Sequence, residues 1–169
     1  MSAAWELRPA TPSDSRLIAT HRVAMFRDMK RTTPAIEAPL FASCADYLAT
    51  ALATGEYVGW VAQLTAAPHT AIAGAGVQRR PLIPRPDPAG RMLLAGLEGL
   101  IVNVYVDPLY RRQGLARQLL AAIIDWAPGA GIVRLVLHAS ADGRPLYESL
   151  GFQAGNEMLF PPFATRESK

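Results

Sequence analysis

The chain has 169 residues, half of them hydrophobic and 18% charged, which is typical of one compact domain and excludes a disordered chain. Its 17 Lys and Arg residues outnumber its 14 Asp and Glu residues, but the basic residues form no long run, which argues against a nucleic-acid-binding protein. Cys44 is the only cysteine, so an internal disulfide and a cysteine-based zinc cluster are both excluded.

The amino-terminal sequence has no charged leader followed by an apolar core. No apolar run reaches the roughly 18 residues that a membrane span requires. The resulting expectation is a cytoplasmic protein without membrane contact.

The first half of the chain alternates between apolar segments and turn signals. Residues 11–14, Thr-Pro-Ser-Asp, predict a helix start, because they provide a capping residue and a carboxylate at the positive end of the helix dipole. Residues 81–91 contain four prolines and a glycine, which predicts a loop. The other predicted elements are a strand at 6–8, a helix at 40–53 that ends near Gly55, and strands at 57–64 and 71–78.

The second half has a longer apolar strand and one strongly amphipathic helix. The strand at 97–106 is uniformly hydrophobic, which favours a central position in a sheet. The helix at 114–126 carries its apolar residues three or four positions apart. A strand at 132–138, a short helix at 145–150 and a last strand ending at Met158 complete this half. Because strand, helix and strand from 97 to 138 form a right-handed crossover, the two strands are expected to be parallel.

The turn at Arg111–Ala116, Arg-Arg-Gln-Gly-Leu-Ala, is expected to bind an anion. It opens a helix, whose first backbone N–H groups have no intrahelical partner and whose dipole favours negative charge. The chain has no Gly-x-x-x-x-Gly-Lys run, and its Gly74-Ala75-Gly76 segment lacks the third glycine of a dinucleotide fingerprint. A nucleotide P-loop and a Rossmann site are therefore excluded.

Three segments in this order resemble the GNAT superfamily of acyl-CoA-dependent N-acetyltransferases. They are residues 102–108 (Val-Asn-Val-Tyr-Val-Asp-Pro), the turn at 111–116, and residues 146–152 (Leu-Tyr-Glu-Ser-Leu-Gly-Phe). The resemblance spans roughly residues 98 to 160. It implies a single domain over residues 1–169 with an α/β fold: a mixed central sheet of six or seven strands with helices on both faces, and a polar tail at 161–169.

The resemblance also implies acetyl-CoA as the acyl donor, without a metal. The fourth and fifth strands would splay apart, the pantetheine arm would pair with main-chain groups in the gap, and the turn would hold the pyrophosphate. Ser140 stands where many relatives carry the asparagine that contacts the cofactor. The implied cofactor residues are Val104, Tyr105, Val106, Arg111, Arg112, Gln113, Gly114, Leu115, Ala116 and Ser140.

The resemblance assigns Tyr147 as the acid that protonates the departing thiolate, since a phenol is protonated at neutral pH. The alternative is a core tyrosine. Glu98 is the only acid between Asp87 and Asp107, and the resemblance suggests it as the base that acts through a water. Two alternatives stay open: Glu98 is a surface residue at a strand edge, or amines that arrive partly neutral need no base.

The resemblance implies an amine on a small molecule or on a protein as the acceptor, with Phe26, Met29 and the 81–91 loop as candidates for shaping its pocket. For Phe26 a simple packing role is preferred. The open edge of the sheet predicts a homodimer. The three histidines lack metal-ligand spacing and are assigned structural or surface roles. The rival function from another class is an acyl-CoA-binding sensor module that has lost transfer.

Overall fold

A computed structural model describes residues 4–159 of the chain. These residues form two compact units, one through His138 and one from Ala139 onward. The bounds of the regular elements are β1 Trp5–Pro9, α1 Ser15–Asp28, α2 Pro34–Thr54, β2 Tyr57–Leu64, β3 Ala67–Pro86, β4 Leu93–Val106, α3 Leu115–Trp126 and β5 Ile132–Leu137 in the first unit, and α4 Arg144–Ser149 in the second. The order predicted from the first strand to the last helix is confirmed.

One mixed sheet organises the first unit, with its strands in the order β1-β2-β3-β4-β5. Neighbouring strands are antiparallel except β4 and β5, which are parallel and are joined by the α3 crossover. Within the described residues the sheet has five strands, and the expected six or seven was too many.

Helices cover both faces of this sheet, as predicted. Tyr57 of β2 belongs to a buried cluster with Ile18 of α1 and Leu48 of α2. Trp60, which strand alternation places on the opposite face, packs edge-on against Trp126 of α3, with ring centroids 5.2 Å apart. The amphipathic pattern of α3 is confirmed, because its inward residues Leu115, Leu119 and Ile123 are at most 1% exposed.

The helix predicted at 40–53 begins six residues earlier, at Pro34. Proline at the first helical position loses no hydrogen bond, because that N–H has no intrahelical acceptor. Thr33 precedes it in an extended conformation, and Glu37 places a carboxylate in the first turn. The end at Gly55 is as predicted, with a left-handed φ of 74°.

The loop predicted at 81–91 was wrong for residues 81–86, because β3 continues to Pro86 and pairs with β4 from Leu93, whereas residues 87–92 form the turn that joins the two strands. β2 accompanies β3 only as far as Gln78, so the rest of β3 has one open edge. Proline is tolerated in an edge strand, where one row of backbone groups needs no partner. The two strands therefore extend past the rest of the sheet as a hairpin arm.

The last predicted strand, which was to end at Met158, was also wrong. Residues 152–159 adopt neither strand nor helix. Their sequence, Phe-Gln-Ala-Gly-Asn-Glu-Met-Leu, contains glycine, asparagine and glutamate, which are poor strand formers. The predicted polar tail at 161–169 lies outside the described residues. No helix within residues 4–159 is long and apolar enough to cross a membrane.

Candidate active site

The turn between β4 and α3 contains two residues in a left-handed backbone conformation, Arg112 with φ 63° and Gly114 with φ 90°. Its start is fixed by Asp107, whose backbone N–H donates to the carbonyl of Ile72 at 2.8 Å and whose Oδ1 accepts from the N–H of Leu109 at 2.9 Å. A Cβ at Gly114 would meet no atom within 4 Å. Glycine is thus required here by the backbone, and the space above it is open.

The amino-terminal end of α3 faces this open space. The carbonyl of Gly114 accepts from the N–H of Gln118 at 3.0 Å, so the N–H groups of residues 115–117 precede the first helical hydrogen bond. Arg112, Gln113 and Gly114 are exposed. Partial positive charge and outward N–H donors give this end of α3 the chemistry of an anion site.

The guanidinium of Arg111 contacts other residues of the protein. Its Nε donates to the carbonyl of Val106 at 3.0 Å, and its Nη2 is ion-paired with Asp28 at the end of α1. Arg111 therefore ties the turn to the end of β4 and to α1, whereas Arg112 projects into solvent. To bind a phosphate as predicted, the guanidinium of Arg111 would have to contact the phosphate while it also contacts Val106 and Asp28.

β4 and β5 separate near the middle of β4. Their parallel pairing ends at Ile101 and Leu137, the last residue of β5, while β4 continues to Val106. Beyond Ile101, β4 still pairs with β3 on its other edge. Within the first unit, the edge of β4 from Val102 to Val106 consequently has no strand beside it, which is the gap expected between the fourth and fifth strands.

A β-bulge at Asn103 changes which face the end of β4 presents. The register with β3 shifts by one residue between Gly74 and Gly76, and Asn103 has φ 58°. Val102 packs against the α1–α2 side of the sheet, and Tyr105, three residues later, stacks on His21 of α1 with ring centroids 4.8 Å apart. Strict alternation would place Val102 and Tyr105 on opposite faces.

Burial lowers the pKa of His21 to about 4, so this imidazole is neutral at pH 7.

A cavity of about 190 Å³ lies between α1, α2 and the sheet at this bulge. Its walls combine apolar and polar side chains. The lining residues are Arg22, Ser43, Cys44, Tyr47, Leu48, Tyr57, Gln78, Val102 and Asn103. Among the described residues, the candidates Phe26, Met29 and 81–91 are not part of this lining, although Phe26 lies under the guanidinium of Arg22, 5.0 Å from Cζ to the ring centroid.

Asn103 connects two of these walls. Its Oδ1 accepts from Nη1 of Arg22 at 2.5 Å, and its Nδ2 donates to the hydroxyl of Tyr57 at 3.2 Å. Burial raises the pKa of Tyr57 to about 12, so the group stays a neutral phenol. The amide is thereby oriented with its oxygen toward the cation and its nitrogen toward the phenol.

Glu98 is buried, with 6% exposure, and lies between two arginines. Strand register places Arg80 of β3 and Arg134 of β5 beside it. Its Oε1 accepts from Nε of Arg80 at 2.7 Å, and its Oε2 is 3.0 Å from Nη1 of Arg134. The surface position considered for Glu98 is therefore wrong, and both oxygens of the proposed base are engaged by cations.

The second unit contains Ser140 and Tyr147. Ser140 Oγ accepts from the backbone N–H of Gly143 at 3.2 Å, and the ring of Tyr147 packs edge-on against Phe152 with centroids 6.1 Å apart. A Cβ at Gly143 would lie 3.0 Å from Cε2 of Tyr147, so glycine here leaves room for the ring. Burial raises the pKa of Tyr147, which keeps its phenol protonated at neutral pH.

Comparison with protein families identifies this arrangement. The model of the acetyltransferase (GNAT) family matches residues 15–152, which include the cavity, the strand gap, the turn and α4. The chain belongs to the GNAT family.

Solved structures show the same fold for this GNAT protein. A GCN5-related N-acetyltransferase from Ralstonia eutropha JMP134 is 31% identical, with a TM-score of 0.79 over 94% of this chain and 99% of that one. A predicted acetyltransferase from Clostridium acetobutylicum, solved with acetyl-CoA, is 26% identical, with a TM-score of 0.77 over 94% of this chain and 96% of that one.

Curated relatives match a shorter segment of the GNAT protein. The ribosomal protein bS18-alanine N-acetyltransferase of Escherichia coli K12 is 45% identical over 58 residues. That segment is 32% of this chain and 39% of the enzyme, so the match spans about two fifths of the length of this relative.

Sequence reasoning did not find the cavity of this GNAT protein. Arg22, Tyr57 and Asn103 come from α1, β2 and β4, and only the folded sheet brings them together. Asn103 offered one signal, because it is a lone amide within an apolar strand. An amide buried at that position needs hydrogen-bond partners, which the sequence does not identify.

Proposed function

We propose that the protein is an N-acetyltransferase that moves the acetyl group of acetyl-CoA to a primary amine. The observation that carries this proposal is the adjacency of the strand gap after Ile101 and the open, donor-rich start of α3. The free edge of β4 offers main-chain groups to the extended pantetheine arm, and the start of α3 offers N–H donors to the pyrophosphate.

The residues present fit acetyl-CoA. The space above Gly114 is open, and the turn is exposed where phosphates would approach. Main-chain groups of Val104–Val106 would bind the pantetheine arm, while those of Gln113–Ala116 and the guanidinium of Arg112 would bind the phosphates. Arg111 would act mainly by fixing the turn, and Ser140 is a further candidate for a cofactor contact.

Acetyl-CoA supplies an activated acetyl group as a thioester. The amine nitrogen forms a bond to the carbonyl carbon, the carbon–sulfur bond breaks, and the sulfur leaves as a thiolate. Oη of Tyr147 would donate its proton to that sulfur, since a phenol is protonated at neutral pH and can supply a proton as charge develops on the thiolate.

The base at Glu98 stays a prediction, and the geometry favours the alternative without a dedicated base. Oε1 of Glu98 already accepts from Arg80 and Oε2 lies against Arg134, so a catalytic water would have to compete with two guanidinium groups for this carboxylate. On this proposal the amine reaches the cavity in its neutral form, and the proton that its nitrogen loses on acetylation returns through solvent to the phenolate of Tyr147.

The deciding experiment is thermal denaturation with and without acetyl-CoA, followed by assays of coenzyme A release with a panel of amines. At one hundred times its dissociation constant, the cofactor should add about 2.7 kcal/mol and raise the melting temperature by roughly 5 to 10 °C. No shift at millimolar acetyl-CoA would contradict the proposal. A shift without release for any amine would instead indicate the acyl-CoA sensor.

A homodimer and a cytoplasmic location stay predictions. β1 and β5 are the outer strands of the described sheet, and an open edge strand favours pairing with a second copy. Analytical ultracentrifugation at micromolar concentration measures the oligomeric state directly.

A further inference from the structure

Arg22 is a cation without a carboxylate partner in the part of the chain that the structure describes. Its protein contacts are the side-chain oxygen of Asn103 and the ring of Phe26. The arginines elsewhere in the first unit differ, since many are ion-paired: Arg8 with Asp14, Arg27 with Glu37, Arg80 and Arg134 with Glu98, and Arg111 with Asp28. Arg22 therefore keeps N–H donors available for a ligand.

The guanidinium of Arg22 belongs to the wall of the 190 Å³ cavity, and among residues 4–159 it is the one charged side chain in that wall. Leu48 and Val102 give the same wall apolar surface. A guanidinium beside such a surface favours an oxyanion, because its planar donors match carboxylate and phosphate oxygens. The cavity is also smaller than the roughly 300 to 1,000 Å³ of pockets for drug-sized ligands, which favours a small molecule as its occupant.

The position of Arg22 is fixed by the bulge in β4. Asn103 is held from the other side by the buried hydroxyl of Tyr57, so its oxygen faces the guanidinium. Asn103 also lies just past Ile101, where β4 leaves β5. The cavity thus borders the strand gap in which the acetyl thioester is proposed to lie.

We propose that the acceptor is a small primary amine that also carries an oxyanion, either a carboxylate or a phosphate monoester, and that Arg22 selects it. This inference rests on the proposed acetyl transfer, with the amine nitrogen directed to the gap and the oxyanion to Arg22. The preference for an oxyanion depends on the side chain of Arg22, so it can be tested separately from cofactor binding.

The first test compares matched acceptors with the wild-type protein. L-leucine is measured against L-leucinamide and isopentylamine, and O-phosphoethanolamine against ethanolamine, by initial rates of coenzyme A release. A charge-assisted contact of this kind should raise kcat/KM for the oxyanion member of at least one set by about 10- to 100-fold. The set that responds distinguishes carboxylate from phosphate. Equal or faster transfer to the neutral member in both sets, or to a peptide amide with a free amino terminus, would overturn the inference.

The second test repeats these sets with Arg22→Gln, Arg22→Lys and Arg16→Gln. Arg16 is a matched control because it lies on the same helix, stacks on Phe41 at 4.9 Å as Arg22 stacks on Phe26, and does not line the cavity. Arg22→Gln should reduce the oxyanion preference to within about threefold, Arg22→Lys should keep part of it, and Arg16→Gln should keep all of it. Each result is a ratio of two acceptors, so differences in their own amine pKa values cancel between variants.

The two proposals fail in different ways. Loss of the acetyl-CoA melting shift in wild type would remove the proposed transfer and this inference together. A normal shift with an oxyanion preference that survives Arg22→Gln would remove the inference alone. A normal shift in Arg22→Gln, together with lost preference and retained transfer to isopentylamine, would support both.

Discussion

The hydroxyl of Tyr57 lies over the backbone of Gly76, where a Cβ would be 2.0 Å from the phenolic oxygen and 2.2 Å from Cζ. Tyr57 is 2% exposed, and its oxygen accepts from the amide of Asn103. The missing side chain at position 76 is what lets the tyrosine reach across β3 to the bulge in β4. One wall of the cavity thus depends on a glycine that does not line it.

Gly76→Ala should destabilise the protein severely, by about 3 kcal/mol or more, because Tyr57 is packed too tightly to move aside. Gly74→Ala is the matched control on the same face of β3. Its Cβ would be 3.3 Å from Nδ1 of His21 and 3.3 Å from the carbonyl oxygen of Trp60, contacts that shifts of a few tenths of an ångström relieve, so we expect a loss of about 1 kcal/mol. Urea unfolding measures both, and equal losses would contradict the close contact at Gly76.

Gly114→Ala should abolish the melting shift that acetyl-CoA produces, because the turn needs a left-handed residue and an open surface. Gly131→Ala is its control beyond the other end of α3, with φ 72° and also no atom within 4 Å of a Cβ. Both variants should lose a similar stability, about 1 to 2 kcal/mol from backbone strain. An acetyl-CoA shift retained in Gly114→Ala would show that the cofactor binds elsewhere.

Tyr147→Phe should lower kcat by about 100-fold while KM for acetyl-CoA changes little, because the ring and its contact with Phe152 remain. Steady-state kinetics with a saturating amine provides the measurement. The melting temperature serves as the control for folding. Unchanged kcat would leave Tyr147 as a packing residue.

Glu98→Gln should lower stability and leave kcat within about threefold. The loss should be about 1 to 3 kcal/mol, since two half-exposed arginines would keep their charges without the carboxylate between them. Arg80→Gln disrupts the same cluster without altering the carboxylate, so it should also lower stability with little effect on kcat. A kcat reduced 100-fold in Glu98→Gln alone would restore Glu98 as the base.

Acid should remove a specific stabilising contribution from Asp14. Its hydrogen bonds from Arg8, at 2.8 Å to each oxygen, lower the pKa of Asp14 to about 2, below the roughly 3.9 expected in the unfolded chain. The contribution is therefore present above about pH 4 and is lost as pH falls toward 2. Asp14→Asn should cost about 1 to 2 kcal/mol at pH 7 and progressively less below pH 4. A difference that stays constant with pH would exclude this origin.

Local patterns predicted most of the fold, because the elements with strong periodicity or clear ends form as expected. The spacing of Leu115, Leu119 and Ile123 predicted the buried face of α3, and Gly55 marked the end of α2. The prolines in residues 81–91 led to a wrong loop prediction, because an edge strand tolerates proline. Only the pairing with β4 shows that this segment is an edge strand. At the site, the turn was visible in six consecutive residues, whereas Arg22, Tyr57 and Asn103 are brought together by strand register.

Because of the bulge at Asn103, the two ends of β4 differ in how well they tolerate insertions and deletions. Removing one residue between Glu98 and Asn103 would eliminate the bulge, because Glu98 could then face Arg80 and Tyr105 could face Gly74 in one unbroken register, and the amide that binds Arg22 and Tyr57 would lose its position. Shortening the hairpin arm by a pair of facing residues would leave the remaining register unchanged. We therefore expect insertions and deletions among related chains to collect in the arm, while divergence of acceptor choice proceeds by substitution around a strand of fixed length.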